Sequence, residues 1–129
     1  MKKGDIFNQT FIINNDLYEG FLLLFKDFNP LHTDEDFANE KGFKGLVMHG
    51  NILNGFVSYF VGECLPQKNV IIQTQEIKFS LPVYLNEVLE FHAIVSDVFE
   101  SVNSIEFKYY FRNSVNKKVA RGLIQIGLI

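Results

Sequence analysis

The sequence contains no tryptophan and only one cysteine among its 129 residues. A lone cysteine excludes a disulfide within the chain, and it gives no indication of an oxidising compartment. Cys64 is followed by Leu65-Pro66, and an isolated cysteine in such a context is typical of a small buried apolar residue rather than a catalytic nucleophile.

Long apolar runs are missing as well. The longest, residues 21–25, is far shorter than the roughly 20 residues that a membrane-spanning helix needs. Although Met1-Lys2-Lys3 resembles the basic start of a secretion signal, the polar residues Asp5, Asn8 and Gln9 interrupt any apolar stretch behind it. We therefore expect no signal peptide, no membrane partner and a cytoplasmic location.

Positive charge is outnumbered by negative charge. Twelve lysines and arginines stand against 15 acidic residues, for a net charge of −3. This balance provides no basic surface for nucleic acid, and the cluster of Lys117, Lys118 and Arg121 is interpreted as a solvated strand end. The three histidines have no tight ligand spacing and no second cysteine near them, so we expect no metal site and no cofactor.

Phenylalanine, in contrast, is abundant. The chain has 14 of them, and 47% of its residues are hydrophobic, which indicates the core of one domain spanning residues 1–129. A first strand is predicted over 6–13. Asp16 is expected to cap a helix that runs to about residue 25, and the spacing of its apolar residues predicts one buried face. That face consists of Leu17, Phe21, Leu24 and Phe25.

The rest of the chain divides into short helices and then strands. Asn29-Pro30 predicts a turn, and Thr33 is expected to cap a second helix that ends at Gly42. The main helix, about residues 51–63, is apolar around most of its circumference, which predicts burial on nearly every side. Strands are predicted over 70–79, 87–99, 104–112 and 119–129, with a hairpin connection at 113–116. Because short links require antiparallel neighbours, we predict an α+β fold in which an antiparallel sheet wraps around the central helix.

The strongest functional signal is a pair of short motifs. Asp27-Phe28-Asn29-Pro30-Leu31-His32 is followed 17 residues after His32 by His49-Gly50. A carboxylate and an imidazole held across a turn are suited to general acid–base chemistry. A glycine at the start of an apolar helix can present an unhindered backbone N–H to a substrate oxygen. Together these groups can add water to a polarised double bond or remove it.

The same residues closely resemble the MaoC-like, R-specific enoyl-CoA hydratase family. The resemblance extends through Thr33-Asp34, Phe37-Ala38 and residues 42–45, and it implies the hot-dog fold. It also implies that Asp27 and His32 are the catalytic pair that holds and activates a water, and that the N–H of Gly50 binds the thioester carbonyl. The substrate would be an acyl thioester carried by coenzyme A or by an acyl carrier protein, and the protein would form a homodimer or a dimer of dimers.

Five further residues complete the predicted substrate-binding set. Asn29 is expected to brace the turn, and His49 is expected to position the loop and the start of the helix. The family commonly has Ser/Thr-Gly before the catalytic aspartate, where Phe25-Lys26 stands here, and a serine at the position of Gly55. The missing hydroxyl leaves room for water, for Asn51 or Asn54, or for a differently shaped substrate.

Two other functions remain open from the sequence. A hot-dog acyl-thioesterase often carries its carboxylate on the central helix, where this chain offers only Glu63 near the far end. A non-catalytic protein could bind acyl thioesters in the same groove. Released free thiol would favour the first alternative, and saturable binding without turnover would favour the second.

Overall fold

The computed structural model describes all 129 residues, which form a sheet of five strands and a set of helices. The chain begins with β1 (Ile6–Ile12), α1 (Asn15–Phe25), α2 (Pro30–Thr33) and α3 (Glu35–Glu40). It continues with the central helix α4 (Asn51–Tyr59), which passes into a π-helical turn (Phe60–Cys64). The remaining strands are β2 (Val70–Phe79), β3 (Val88–Phe99), β4 (Ser104–Arg112) and β5 (Lys118–Leu128).

The sheet is antiparallel throughout, as predicted. Its strand order is β1-β3-β4-β5-β2, so β1 and β2 form the two edges. Arg112 pairs with Lys118 across the predicted hairpin, and Asn116 takes a positive φ of 61° within it, a conformation that asparagine tolerates better than most residues. Lys117, Lys118 and Arg121 are exposed beside this turn, in agreement with the predicted solvated strand end.

Phenylalanine side chains join the central helix to the sheet. Phe60 contacts Phe91 and Phe107, with ring centroids 5.0 and 5.5 Å apart, and Phe11 stacks on Phe56 at 4.4 Å. All five belong to one hydrophobic core. Burial of a phenylalanine contributes about 1.5–3 kcal/mol, so this cluster anchors α4 against the sheet.

The prediction that the central helix is buried on nearly every side is wrong for this chain. One face of α4, with Ile52, Leu53, Phe56 and Val57, is buried. The opposite face, which includes Gly55, is open, and Tyr59 there is 53% exposed. The sequence pattern counts Tyr59 among the apolar residues of the core. In the structure the sheet covers only one side of the helix, and Tyr59 lies on the other side.

The predicted buried face of α1 is also wrong. No residue of α1 is buried, and Leu24 and Phe25 are 74% and 69% exposed. The helix lies over a groove instead of on the core, as described below. Its cap is Asn14 rather than Asp16, because the Asn14 side chain accepts a hydrogen bond of 2.9 Å from the Leu17 N–H.

The next segment begins earlier than predicted. Asn29-Pro30 starts α2 instead of forming only a turn, since the Asn29 side chain accepts from the Leu31 N–H at 3.0 Å and proline suits the first helical position. Asp34, not Thr33, caps α3 by accepting from the Phe37 N–H at 3.1 Å. Gly42 follows α3 with a φ of 91°, as expected for a residue that ends a helix.

Cys64 is half-buried rather than fully buried. Burial raises the pKa of its thiol, which keeps the group protonated and unreactive. None of the helices combines the length and the apolar character needed to cross a bilayer.

Candidate active site

Asp27 lies in the short connection between α1 and α2. Its Oδ1 accepts a hydrogen bond of 3.2 Å from the Asn29 N–H, and about half of its side chain is exposed. The preceding residue, Lys26, takes the left-handed conformation with a φ of 57°. The chain therefore turns sharply at the end of α1 and presents the carboxylate beside α2.

His32 faces this carboxylate from α2. Its Nδ1 lies 2.7 Å from the carbonyl oxygen of Val47. A carbonyl only accepts, so Nδ1 carries the proton and Nε2 of the neutral ring has the free lone pair. Nε2 lies 3.9 Å from Oδ2 of Asp27, a separation too long for a direct hydrogen bond but suited to a bridging water.

Tyr18 of α1 secures the backbone behind the imidazole. Its hydroxyl donates a hydrogen bond to the carbonyl oxygen of His32. Burial, assisted by the charge of neighbouring Glu19, raises the pKa of Tyr18. The hydroxyl therefore remains a donor over the whole neutral pH range.

His49 contacts both members of the pair. The ring is only 2% exposed, and its Nε2–H donates to the backbone carbonyl of Asp27 at 2.9 Å. It also packs on the ring of His32, with centroids 3.9 Å apart and planes inclined by 31°. Its Nδ1 is buried without a hydrogen-bond partner. His49 therefore fixes the position of Asp27 through the backbone and that of His32 through ring contact.

Gly50 stands at the N-terminus of α4. Its N–H donates to no acceptor within the chain, as expected at a helix start, where the first amides lack intrahelical partners. A Cβ at this position would lie 3.0 Å from the side-chain ring of Phe79 on β2, and the ring would have to shift by a few tenths of an ångström to admit it. Because this amide is unpaired, Gly50 is a candidate position for binding an anion or a carbonyl oxygen. The dipole of α4 would favour negative charge there.

Two cavities meet at Asp27. The smaller, about 470 Å³, is lined by the carboxylate, by His32, His49 and Gly50, and by Phe79. The larger, about 1030 Å³, lies between β1, α1 and α4. Phe21, Asp27 and Asn51 line both cavities. The catalytic pair predicted from the sequence therefore stands where an apolar groove opens into a more polar pocket.

The remaining predicted binding residues take different positions. Asn51 lies at the junction of the cavities, and its Oδ1 accepts from the side-chain amide of Asn54 at 2.8 Å. Asn54 accepts in turn from Gln75 of β2 at 2.6 Å and lines neither cavity. Gly55 lines the larger cavity, whereas Asn29 supports the turn and reaches neither.

Sequence reasoning missed three residues of the site. Tyr18, Gln75 and Phe79 contact the predicted residues from α1 and β2. No motif marks them, because their contacts join segments that are distant along the chain. Only the folded structure could identify them.

Two histidines that lie 17 residues apart in the sequence converge beside Asp27, although their spacing predicted no metal site. Asp27, His32 and His49 each offer a ligand atom, and these atoms lie within 4.8 Å of one another. Nε2 of His49 and Nδ1 of His32 already bond to backbone carbonyls. These bonds leave His32 Nε2 facing the Asp27 carboxylate, and they also leave Nδ1 of His49 without a hydrogen-bond partner.

Comparison with known proteins identifies the family. The family model described as MaoC like domain matches residues 6–116. The chain belongs to the MaoC-like domain family. The (R)-specific enoyl-CoA hydratase of Aeromonas caviae is 39% identical to this MaoC-like domain over 67 residues, which cover 52% of the chain and 50% of that protein. The (R)-specific enoyl-CoA hydratase of Rhodospirillum rubrum is 31% identical over 97 residues, covering 75% and 67%.

The match to these relatives is partial in length, but the fold agrees over the whole domain. The chain spans half of the Aeromonas caviae sequence in the alignment and about two thirds of the Rhodospirillum rubrum one. The solved (R)-hydratase from A. caviae involved in PHA biosynthesis superposes with a TM-score of 0.91 over 100% of this MaoC-like domain and 98% of that chain, at 24% identity. The predicted hot-dog fold is confirmed.

Proposed function

We propose that this MaoC-like domain is a hydratase/dehydratase that interconverts trans-2-enoyl and (R)-3-hydroxyacyl thioesters. The observation that carries the proposal is the position of three groups in one pocket. Nε2 of His32 faces the Asp27 carboxylate at 3.9 Å, and Gly50, whose N–H donates to no acceptor within the chain, lines the same cavity. The names of the two relatives support the same reaction and the same stereochemistry.

The chemistry follows from the protonation states. A water between Asp27 and His32 donates one hydrogen bond to the carboxylate and loses its other proton to the free lone pair of Nε2. Its oxygen forms the new bond to C3 while the electrons of the double bond move toward the thioester oxygen. The pair then returns one proton to C2 as the carbonyl re-forms, so that one water is added and the protein is unchanged. Positioned acid–base groups contribute about 10²–10⁴-fold to such a rate.

Gly50 supplies the electrostatic part of the reaction. Negative charge develops on the thioester oxygen, and the Gly50 N–H together with the N-terminal end of α4 would stabilise it. Loss of one such donor raises the barrier by roughly 2.7–4 kcal/mol in comparable sites. The absence of a Cβ lets the thioester approach the amide closely.

The proposal uses no metal and no cofactor beyond the carrier of the substrate. The acyl group would reach the pair as a thioester of coenzyme A or of an acyl carrier protein. The cytoplasm is the compartment we propose.

We also propose that copies of this chain associate as a homodimer or as a dimer of dimers. Support comes from β2, an edge strand with most of its residues exposed. Ile71 and Ile72 on this strand are 51% and 37% exposed. Exposed isoleucines on an edge strand whose outer backbone groups lack a partner strand would favour pairing with another chain. Light scattering after gel filtration should give twice or four times the mass of the chain.

The thioesterase alternative has less support. The central helix α4 carries no carboxylate, and Glu63 in the π-helical turn lies beside Lys68, with the charged atoms 3.9 Å apart. It lines neither cavity at the site. A nucleophilic or basic carboxylate on the helix is therefore missing where thioester cleavage would need one.

The direct test follows the loss of enoyl absorbance when crotonyl-CoA is hydrated. The wild-type protein should catalyse the reaction, and the product should be oxidised by a dehydrogenase specific for (R)-3-hydroxyacyl thioesters but not by an (S)-specific one. Release of free thiol without hydration would contradict the proposed hydratase function and support the thioesterase function. Binding without turnover at any chain length would replace it by the non-catalytic alternative.

A further inference from the structure

Two glycines in the middle of helices open onto the larger cavity. Gly20 lies halfway along α1 and Gly55 halfway along α4, and both line this cavity. Glycine weakens a helix interior relative to alanine. Such a residue needs a reason, either in its backbone conformation or in the space around it.

Neither conformation nor packing within the chain accounts for them. A Cβ at Gly20 or at Gly55 would meet no atom within 4 Å, and neither residue has a positive φ. Gly50 and Gly122 are different, since a Cβ there would lie 3.0 Å from Phe79 and 2.0 Å from the carbonyl oxygen of Glu76. The space above Gly20 and Gly55 is therefore open and belongs to the groove.

The groove also has the right surroundings for an acyl chain. Its walls are largely apolar, and they include Phe21 and Leu24 of α1 and Phe56 of α4. Asp27 lies at its inner end, where it meets the pocket of His32 and Gly50. A chain whose C2–C3 bond is held at Asp27 can extend into this groove without crossing the sheet.

We propose that Gly20 and Gly55 are specificity-determining residues that widen the groove for acyl chains of about eight carbons or more. This inference rests on the proposed function and names its substrate class. At about 1030 Å³ the cavity is at the upper end of those that bind small molecules, and a four-carbon acyl group would leave most of its apolar wall in water. Each additional buried methylene adds at most roughly a factor of four to binding.

The test compares kcat/KM for crotonyl-CoA and trans-2-octenoyl-CoA. In the wild-type protein the eight-carbon substrate should be preferred by at least tenfold, well below the upper limit of roughly 250-fold for four more fully buried methylenes. Gly55→Leu and Gly20→Leu should each lower the octenoyl-to-crotonyl ratio by at least tenfold, because leucine would fill the groove. Gly55→Ala should lower it less, which provides a graded variant if leucine disturbs folding.

Gly62 offers a matched control in the π-helical turn that continues α4. It is exposed, a Cβ there would also meet nothing within 4 Å, and it lines neither cavity. Gly62→Leu should therefore leave the ratio within twofold of the wild-type value. Circular dichroism should show that all variants retain the wild-type fold.

The results would distinguish a failure of this chain-length inference from a failure of the proposed hydratase function. Hydration of both substrates with the same ratio in wild type, Gly20→Leu and Gly55→Leu would overturn the inference and leave the proposed function intact. The same holds if Gly55→Leu alters the mass of the assembly but not the ratio, since the groove would then be covered by a second copy. Absence of hydration with either substrate in the wild-type protein would overturn the function, and the inference with it.

Discussion

Replacement of His49 by leucine tests whether this buried ring positions Asp27 and His32, the proposed catalytic pair. The substitution removes the hydrogen bond of 2.9 Å to the carbonyl of Asp27 and the ring that packs on His32. The hydrogen bond to the Asp27 carbonyl is partly buried, and loss of its donor would cost up to about 1–3 kcal/mol. If this energy is expressed as misplacement of Asp27, kcat/KM for enoyl-CoA hydration should fall by about 5- to 150-fold.

Stability should respond less than activity. Nδ1 of His49 is buried without a partner in the wild-type protein, so leucine also removes an unsatisfied acceptor and offsets part of the loss. His49→Gln is the matched control, because its amide can still donate to the Asp27 carbonyl, and it should recover much of the activity. The assay is crotonyl-CoA hydration as a function of pH, with thermal denaturation measured in parallel.

A positioning role and a chemical role give different pH profiles. If His49 only holds its neighbours, His49→Gln should keep the shape of the wild-type profile at a reduced rate. A profile that loses one limb would show that His49 itself transfers a proton. If His49→Leu keeps the wild-type kcat/KM, then His49 does not position Asp27 and His32.

Three further predictions concern stability. Gly122→Ala should lower the free energy of unfolding by about 1–3 kcal/mol, since the alanine Cβ would lie 2.0 Å from the Glu76 carbonyl oxygen. A denaturation midpoint equal to that of the wild type would contradict this close approach of the two strands. Lys26→Gly should raise the free energy of unfolding by about 1 kcal/mol, because Lys26 holds a φ of 57° that glycine adopts freely. Urea titration would measure this gain in stability. A loss of stability would argue against the left-handed backbone at Lys26. Burial raises the pKa of Tyr18, so its contribution to stability is complete below its unfolded pKa of about 10 and is lost as pH rises through the folded value. Tyr18→Phe should therefore flatten the alkaline fall in stability, and an unchanged slope would count against the buried phenol.

The proximity of Asp27 and His32 could be predicted from sequence because most of the contacts that create it are local. Asp27, Asn29 and His32 are joined by one turn, and the hydrogen bonds that shape this turn use its own side chains and amides. The strands could be predicted equally well, since alternating apolar residues in β4 face the hydrophobic core that contains the central helix. Local chemistry and periodicity were sufficient for both.

What covers an apolar face could not be predicted in the same way. The spacing of Leu24 and Phe25 correctly marks an apolar side of α1, yet both side chains are exposed. Periodicity reports which face avoids water and not whether a core, a ligand or a second chain meets it. The stacking of His49 on His32 was hidden for a related reason, because it depends on how α2 and the start of α4 meet in space.

Lys26 illustrates how structure explains a departure from the family pattern. The family commonly has a glycine before the catalytic aspartate, and the structure shows a left-handed residue at this position. Such a conformation is natural for glycine and strained for lysine. Lys26 therefore forms the turn before Asp27 in a backbone conformation that is expected to lower the stability of the fold.

The central claim is that Asp27 and His32 act on one water, and a double-variant comparison of kcat/KM tests it most directly. Asp27→Asn and His32→Ala should each lower crotonyl-CoA hydration by about 10²–10⁴-fold while the fold is retained. Because the two groups form one unit, the double variant should lose little more than either single variant. Losses that multiply in the double variant, or wild-type activity in either single variant, would contradict the account.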